Sequence, residues 1–147
     1  MELVKYFTLE YSSSNLKVYQ KIAFADHFKE SRIKSMFSPL TVRKHQQTYG
    51  IEGSQELERI YEIEQIKPKT KVITLPGNHR KWLSIFTTFS KSRNIVFDLV
   101  GQDPIGSQKT LKYVRNFVRH GGSAILLDNF EDSESKCDRF YRIKIEE

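Results

Sequence analysis

Apolar residues recur at helical spacing in two segments of the second half of the chain. The first segment has large apolar side chains at i, i+3, i+4 and i+7, namely Trp82, Ile85, Phe86 and Phe89. This spacing predicts an α-helix with one buried face, beginning after residues 76–78. A second helix is predicted from Ser107, which suits an N-cap, to the glycine pair at 121–122, where a helix commonly ends.

Short apolar runs alternate with these helices and predict strands. Residues 94–100 and 123–127 are almost continuously apolar, as strands buried on both faces of a parallel sheet are. Residues 59–67, 71–75 and 140–145 carry weaker strand patterns. The order of these elements across residues 71–128, which is strand, helix, strand, helix, strand, predicts parallel pairing with right-handed crossovers.

The first part of the chain has a different pattern. Residues 3–11 and 16–24 are rich in Tyr, Val and Ile and flank the turn-forming residues 12–15, which predicts a β-hairpin. Helices are predicted over residues 26–37, from the Ser38-Pro39 start to residue 49, and over residues 55–58. We therefore expect a single α/β domain over residues 1–147, a three-layer Rossmann-like mixed sheet. Its parts are a hairpin with helices (1–58) and a βαβαβ-type core (59–147).

Composition points to an intracellular protein with polyanionic partners. The chain has 24 Lys and Arg against 18 Asp and Glu, a net charge of +6 and a pI of about 9.4, which favours nucleic acid before a membrane surface. No segment supplies the roughly 20 apolar residues of a membrane span. The early Glu2 argues against a signal peptide, and the single Cys137 cannot form an internal disulfide. These features predict a cytoplasmic location and no membrane association.

Two groups of cations are the predicted nucleic-acid-binding residues. His79, Arg80 and Lys81 fall in the first turn of a predicted helix, where cations oppose the helix dipole unless an anion binds beside them. The alternative is that these side chains extend into water. Further along, one arc of the next helix carries a cationic stripe made of Lys109, Lys112, Arg115 and Arg119. A stripe of one sign suits a phosphate backbone, although a solvated helix face is the simpler interpretation.

The carboxyl ends of the predicted parallel strands form the alternative site. Ligands of open α/β sheets bind at this rim, and Asp103 and Asp128 follow two of the strands. Two such carboxylates could hold Mg²⁺ for phosphodiester cleavage. The four histidines lack metal-ligand spacing and no G-x-S-x-G motif is present. The sequence therefore predicts no catalytic residue, no metal ligand and no cofactor.

Residues 94–104 (NIVFDLVGQDP) and 111–129 (LKYVRNFVRHGGSAILLDN) resemble the fourth-strand and fifth-strand regions of class I Rossmann-like methyltransferases. The resemblance implies an S-adenosylmethionine-binding fold with Asp103 near its reactive end. No glycine-rich cofactor loop follows an early strand, so the resemblance concerns the fold more than the activity.

The function predicted from these patterns is non-enzymatic. We expect an accessory α/β domain that binds DNA or RNA in a salt-sensitive manner through its basic helix faces. A reduced methyltransferase and a metal-dependent nuclease are enzymatic alternatives. A third alternative is a protein-interaction module that binds a partner strand at the edge of its sheet.

Overall fold

The computed structural model describes residues 2–12, 17–27, 38–128 and 131–143. In these residues the first three helices and the first strand are α1 (Glu2–Phe7), β1 (Ala23–Phe24), α2 (Val42–Tyr49) and α3 (Gln55–Glu58). They are followed by α4 (Gly77–Lys91), β2 (Asn94–Phe97), α5 (Pro104–Arg119) and β3 (Ser123–Leu126). Short 3₁₀ helices cover Arg59–Glu62, Val72–Thr74 and Glu131–Lys136.

The three described strands form one parallel sheet in the order β1-β2-β3. Phe24, Val96 and Ile125 lie side by side in its register. Helices α2, α3 and α4 lie between β1 and β2 in the chain, and α5 lies between β2 and β3. The α/β class is therefore confirmed. The predicted mixed sheet is not found among the described strands, and the three-layer arrangement stays a prediction.

The first strand of the parallel sheet is not the one that the sequence predicted. Residues 71–75 contain a 3₁₀ helix, because their backbone pairs with the start of α2 instead. The Val42 N–H donates to the Thr70 carbonyl at 2.9 Å, and the Val72 N–H donates to the Leu40 carbonyl at 2.8 Å. The sheet instead takes Ala23 and Phe24 from the first part of the chain.

The predicted hairpin is wrong. Residues 2–7 form α1 rather than a strand, and Val4 is nearly buried. Ala23 and Phe24 pair in parallel with β2 rather than with residues 3–11. No hairpin edge exists in the described residues, and the protein partner at an edge of the sheet stays a prediction. Residues 13–15 of the predicted turn, together with residue 16, lie outside the described residues.

The other local predictions divide between confirmed and wrong. Helix α3 begins after its Ser54 cap, and α2 ends at Gly50 as expected. Helix α2 begins at Val42, because Thr41 rather than Ser38 accepts the capping hydrogen bond from Lys44 N at 3.2 Å. Residues 59–67 form no strand, and Gln65 has a φ of 73° that a strand does not accommodate. Residues 140–143 are not a strand either, and residues 28–37 and 144–147 lie outside the described residues.

Helix α4 is the centre of the fold. Residues 81–89 are all buried, and the helix contacts α2, α3, α5, β1 and β2. Its hydroxyl groups tolerate burial because they donate to carbonyls of the preceding turn, as from Thr87 to Leu83 at 2.7 Å and from Thr88 to Ser84 at 2.9 Å. The helix was predicted with one buried face, and its polar face is covered as well.

Helix α5 packs on α4 through one face. The rings of Phe89 and Phe117 stack with centroids 4.0 Å apart, and the Trp82 Nε1–H donates to Thr110 Oγ1 at 2.9 Å. The helix begins at Pro104, three residues before the predicted start, because Asp103 is its N-cap. The opposite face of α5 remains exposed.

Candidate nucleic-acid interface

The predicted cationic stripe lies on the exposed face of α5. Its members, Lys109, Lys112, Arg115 and Arg119, are all exposed. The helix contains no Asp or Glu between Pro104 and Arg119. Arg115 Nη2 also donates to the carbonyl of Lys136 at 3.3 Å, so the segment after β3 lies beside the stripe. The structure therefore places all four cations on one face of α5, and that helix contributes no acidic residue.

His79 joins this surface through an aromatic contact. The His79 ring lies 5.1 Å from the ring of Trp82, and the Lys109 ammonium lies 5.7 Å from the same Trp82 ring. Partial burial, and then the charge of Lys109, lower the pKa of His79 below its usual value. His79 and Lys109 thus meet at the start of α4, although they are 30 residues apart in sequence.

The N-terminus of α4 differs from that of α5. Its cap residue is Pro76, which provides no side-chain hydrogen bond, and its first turn has no acidic residue. In α5, the Asp103 side chain accepts from Gly106 N at 2.7 Å. The first-turn N–H groups of α4 therefore lack the carboxylate that satisfies their counterparts in α5.

Lys81 does not belong to the exposed surface. Its residue is completely buried, and its ammonium donates to Asp98 Oδ1 at 2.8 Å and to the Ala25 carbonyl at 2.9 Å. Successive residues of a helix point about 100° apart. His79, Arg80 and Lys81 therefore face in different directions although they are adjacent in sequence, and Lys81 faces the sheet.

Arg80 and His27 lie at the carboxyl end of the sheet, near Lys81. The Nε of Arg80 and the Nδ1 of His27 are buried and have no hydrogen-bond partner. Burial, followed by the charges of Lys81 and Arg80, lowers the pKa of His27, while Asp98 and Asp26 act against the shift. The sequence prediction missed His27 and Asp98. Asp98 follows an apolar run and could have been found, whereas His27 follows a strand too short to recognise.

The two carboxylates of the alternative site make hydrogen bonds within the protein. Asp103 Oδ2 accepts from Asn78 Nδ2 at 2.8 Å, and the hydrogen bonds from Gly106 N and Asn78 lower the pKa of Asp103. Asp128 Oδ2 accepts from the Ser133 hydroxyl at 2.5 Å. Over residues 2–12, 17–27, 38–128 and 131–143, no three His, Cys, Asp or Glu side chains are grouped as metal ligands. Within the described residues, the two carboxylates therefore have local roles, Asp103 as the cap of α5.

A small pocket lies apart from these residues, between α2 and α3. Arg43, Glu58 and Pro68 contribute to its walls. The Tyr61 hydroxyl donates to Gln46 Oε1 at 2.6 Å, and Gln46 Nε2 donates to the Leu57 carbonyl at 2.6 Å. The pocket contains none of the residues predicted to bind a ligand.

Comparison with known proteins identifies no family for this chain. No protein-family model matches the chain, and no curated protein sequence matches it significantly. None of the helices in the described part of the chain combines the length and the apolar character that a membrane span requires.

Proposed function

We propose that the protein binds nucleic acid, DNA or RNA, through the exposed face of α5. The observation that carries the proposal is the charge of that face: four exposed cations on a helix of 16 residues without an acidic residue. Solvated helix faces usually mix the two signs of charge. A face of one sign attracts a polyanion, and each phosphate that it neutralises releases condensed counterions.

The spacing of the cations suits a phosphate backbone. Lys109 and Arg119 are ten residues apart, which corresponds to about 15 Å along the helix axis. One strand of B-form DNA carries a phosphate about every 3.4 Å of its axis. The four cations therefore span about four phosphates of one strand.

The packing and capping of α5 fix the position of the helix that carries these cations. Phe117 and Thr110 are buried against α4, and Asp103 caps the first turn. A helix held in this way presents its outer side chains in a fixed order. Binding then costs the conformational entropy of these side chains but not that of the backbone. Contacts to phosphates carry no base information, so we expect weak sequence selectivity and no chemical step.

The proposal is tested by fluorescence anisotropy with labelled single- and double-stranded DNA and RNA over a series of salt concentrations. The test variant is Lys109→Gln, Lys112→Gln, Arg115→Gln and Arg119→Gln combined. A matched control removes four exposed lysines elsewhere, by Lys67→Gln, Lys69→Gln, Lys71→Gln and Lys91→Gln. Both variants lower the net charge equally, so their difference reports on position.

We expect the parent protein to bind with an affinity that falls linearly on a log–log plot against salt. Each phosphate contact contributes about −0.9 to the slope for duplex DNA and about −0.7 for single strands. The test variant should lose most of this slope, and the control should keep it. Absence of binding by the parent protein at low salt would refute the proposed function. Equal losses in both variants would show that net charge, rather than α5, determines binding.

A further inference from the structure

Two buried polar atoms without a partner lie at the carboxyl end of the sheet. They are Nδ1 of His27, three residues after β1, and Nε of Arg80, in the first turn of α4. Buried N–H groups and ring nitrogens almost always have a hydrogen-bond partner, in the protein or in a bound molecule. Two such atoms in neighbouring segments therefore call for an explanation.

Three chain segments meet beside His27, and the charge of Arg80 acts on its ring. Lys81, next to Arg80, donates to the carbonyl of Ala25, two residues before His27. The loop after β2 forms a further wall, because a Cβ added to Gly101 would lie 3.8 Å from His27 Cε1. Gly101 has a φ of 76°, which residues with a side chain seldom adopt.

Of the two cations beside His27, only Lys81 has an ion-pair partner among the described residues. The ammonium of Lys81 is paired with Asp98 at 2.8 Å, whereas Arg80 forms no ion pair with a described residue. Asp26 is exposed, and its Oδ1 accepts from the His27 backbone N–H at 2.6 Å. The pKa of His27 is lowered by burial first and then by Lys81 and Arg80, against the opposite effect of Asp98 and Asp26, so both cations act on the His27 ring.

We propose that a small oxyanion, the phosphate or carboxylate group of a ligand, binds between His27 Nδ1 and Arg80 Nε. Oxygen atoms of such a group accept from the Arg80 Nε–H and from the Nδ1–H tautomer of His27. A guanidinium bonded to an oxyanion forms a charge-assisted hydrogen bond, which is stronger than a bond to a neutral acceptor. A water molecule would satisfy both atoms but would leave Arg80 without an anionic partner among the described residues. The inference does not rest on nucleic-acid binding by α5.

The test is an NMR titration of the ¹⁵N-labelled full chain with inorganic phosphate. The Nε–Hε signal of Arg80 is assigned by its loss in Arg80→Lys, which keeps the charge but removes the Nε–H. Acetate is titrated separately to distinguish a carboxylate ligand from a phosphate ligand, and chloride at equal ionic strength is the reference. The Nε–Hε signal of Arg93 is the internal control, because Arg93 is exposed and donates from Nη1 to the His120 carbonyl at 3.3 Å.

We expect phosphate, acetate or both to shift the Arg80 and His27 signals to saturation without shifting Arg93. Both Arg80→Lys and His27→Gln should weaken binding by about tenfold or more, since each removes a hydrogen bond to a charged group. If Arg80→Lys does not fold, His27→Gln provides the comparison. The α5 quadruple variant should bind the anion as the parent does, which separates this site from the nucleic-acid proposal. Shifts that do not saturate, or that chloride reproduces, would overturn the inference and leave water as the partner of both atoms.

Discussion

The ammonium of Lys81 lies 2.8 Å from Asp98 Oδ1, and the Lys81 residue is completely buried. The same ammonium donates to the Ala25 carbonyl at 2.9 Å, and Asp98 Oδ1 accepts from Val100 N at 3.1 Å. One ion pair therefore joins α4, the end of β1 and the loop after β2. Lys81, which was predicted as a surface cation, is instead a buried residue that links the ends of β1 and β2.

This pair predicts unequal effects of its two partners on stability. Removal of one partner of a buried ion pair destabilises a protein by about 3–5 kcal/mol. We expect Asp98→Leu to lower the free energy of unfolding more than Lys81→Met. Asp98→Leu leaves the Lys81 ammonium unpaired in the interior, where its side chain is 0% exposed. Lys81→Met leaves the Asp98 carboxylate, whose side chain is 16% exposed and can hydrate. Urea denaturation measures both values. The double variant should recover part of the loss, and equal effects of the single variants would contradict this interpretation.

His45 predicts a loss of stability in mild acid. Burial, helped by the charge of Lys91, lowers the pKa of His45 from 6.5 to about 4. The unfolded chain takes up this proton near pH 6.5 and the folded chain only near pH 4. The free energy of unfolding should therefore fall by up to about 3 kcal/mol as the pH falls between these values.

Denaturation at several pH values measures this effect. His45→Phe should remove the corresponding part of the pH dependence. Lys91→Gln should reduce it slightly, because the Lys91 charge is the smaller cause of the lowered pKa. A pH dependence that is unchanged in His45→Phe would assign the effect to other groups.

Thr110 predicts a local effect at the interface between α4 and α5. Its hydroxyl accepts from Trp82 Nε1 at 2.9 Å and bonds to the Gln102 side chain. Thr110→Val keeps the shape and leaves the buried indole N–H without a partner, so we expect a loss of about 1–3 kcal/mol. Urea denaturation followed by the fluorescence of Trp82, the single tryptophan, measures it. Thr74→Val is the control, because its hydroxyl is exposed, and it should change stability by about 0.5 kcal/mol or less.

The acidic segment after β3 should weaken nucleic-acid binding by α5. Glu134 and Asp138 are exposed and flank Lys136, whose carbonyl bonds to Arg115. Two carboxylates about 10 Å from a phosphate weaken binding roughly fourfold in water. Glu134→Gln with Asp138→Asn should therefore tighten binding by about this factor at low salt and have little effect at high salt. Anisotropy measures the change, and Glu52→Gln with Glu64→Gln, which removes two exposed acids elsewhere, should give a smaller one.

The periodic patterns of the sequence were sufficient to predict those elements whose structure depends mainly on their own residues. Helices α4 and α5 and strands β2 and β3 follow from their apolar spacing, because a helix or strand of this kind buries residues at its own period. The Ser54 cap and the end of α2 at Gly50 depend on hydrogen bonds within a few residues. The exposure of the cationic stripe follows from the same periodicity, since the apolar residues of α5 leave only one face for it.

Tertiary structure decided the features that depend on distant neighbours. Strand β1 has two residues, and it exists because Ala23 and Phe24 pair with Ile95 and Val96, about 70 positions away. Local pattern cannot reveal such a strand, since its hydrogen bonds belong to a remote partner. The surroundings of the His79, Arg80 and Lys81 side chains were also decided by tertiary structure. Sequence placed three cations in one turn, but only the packing of α4 against the sheet determined that Lys81 meets Asp98 in the interior while His79 meets Lys109 near the surface.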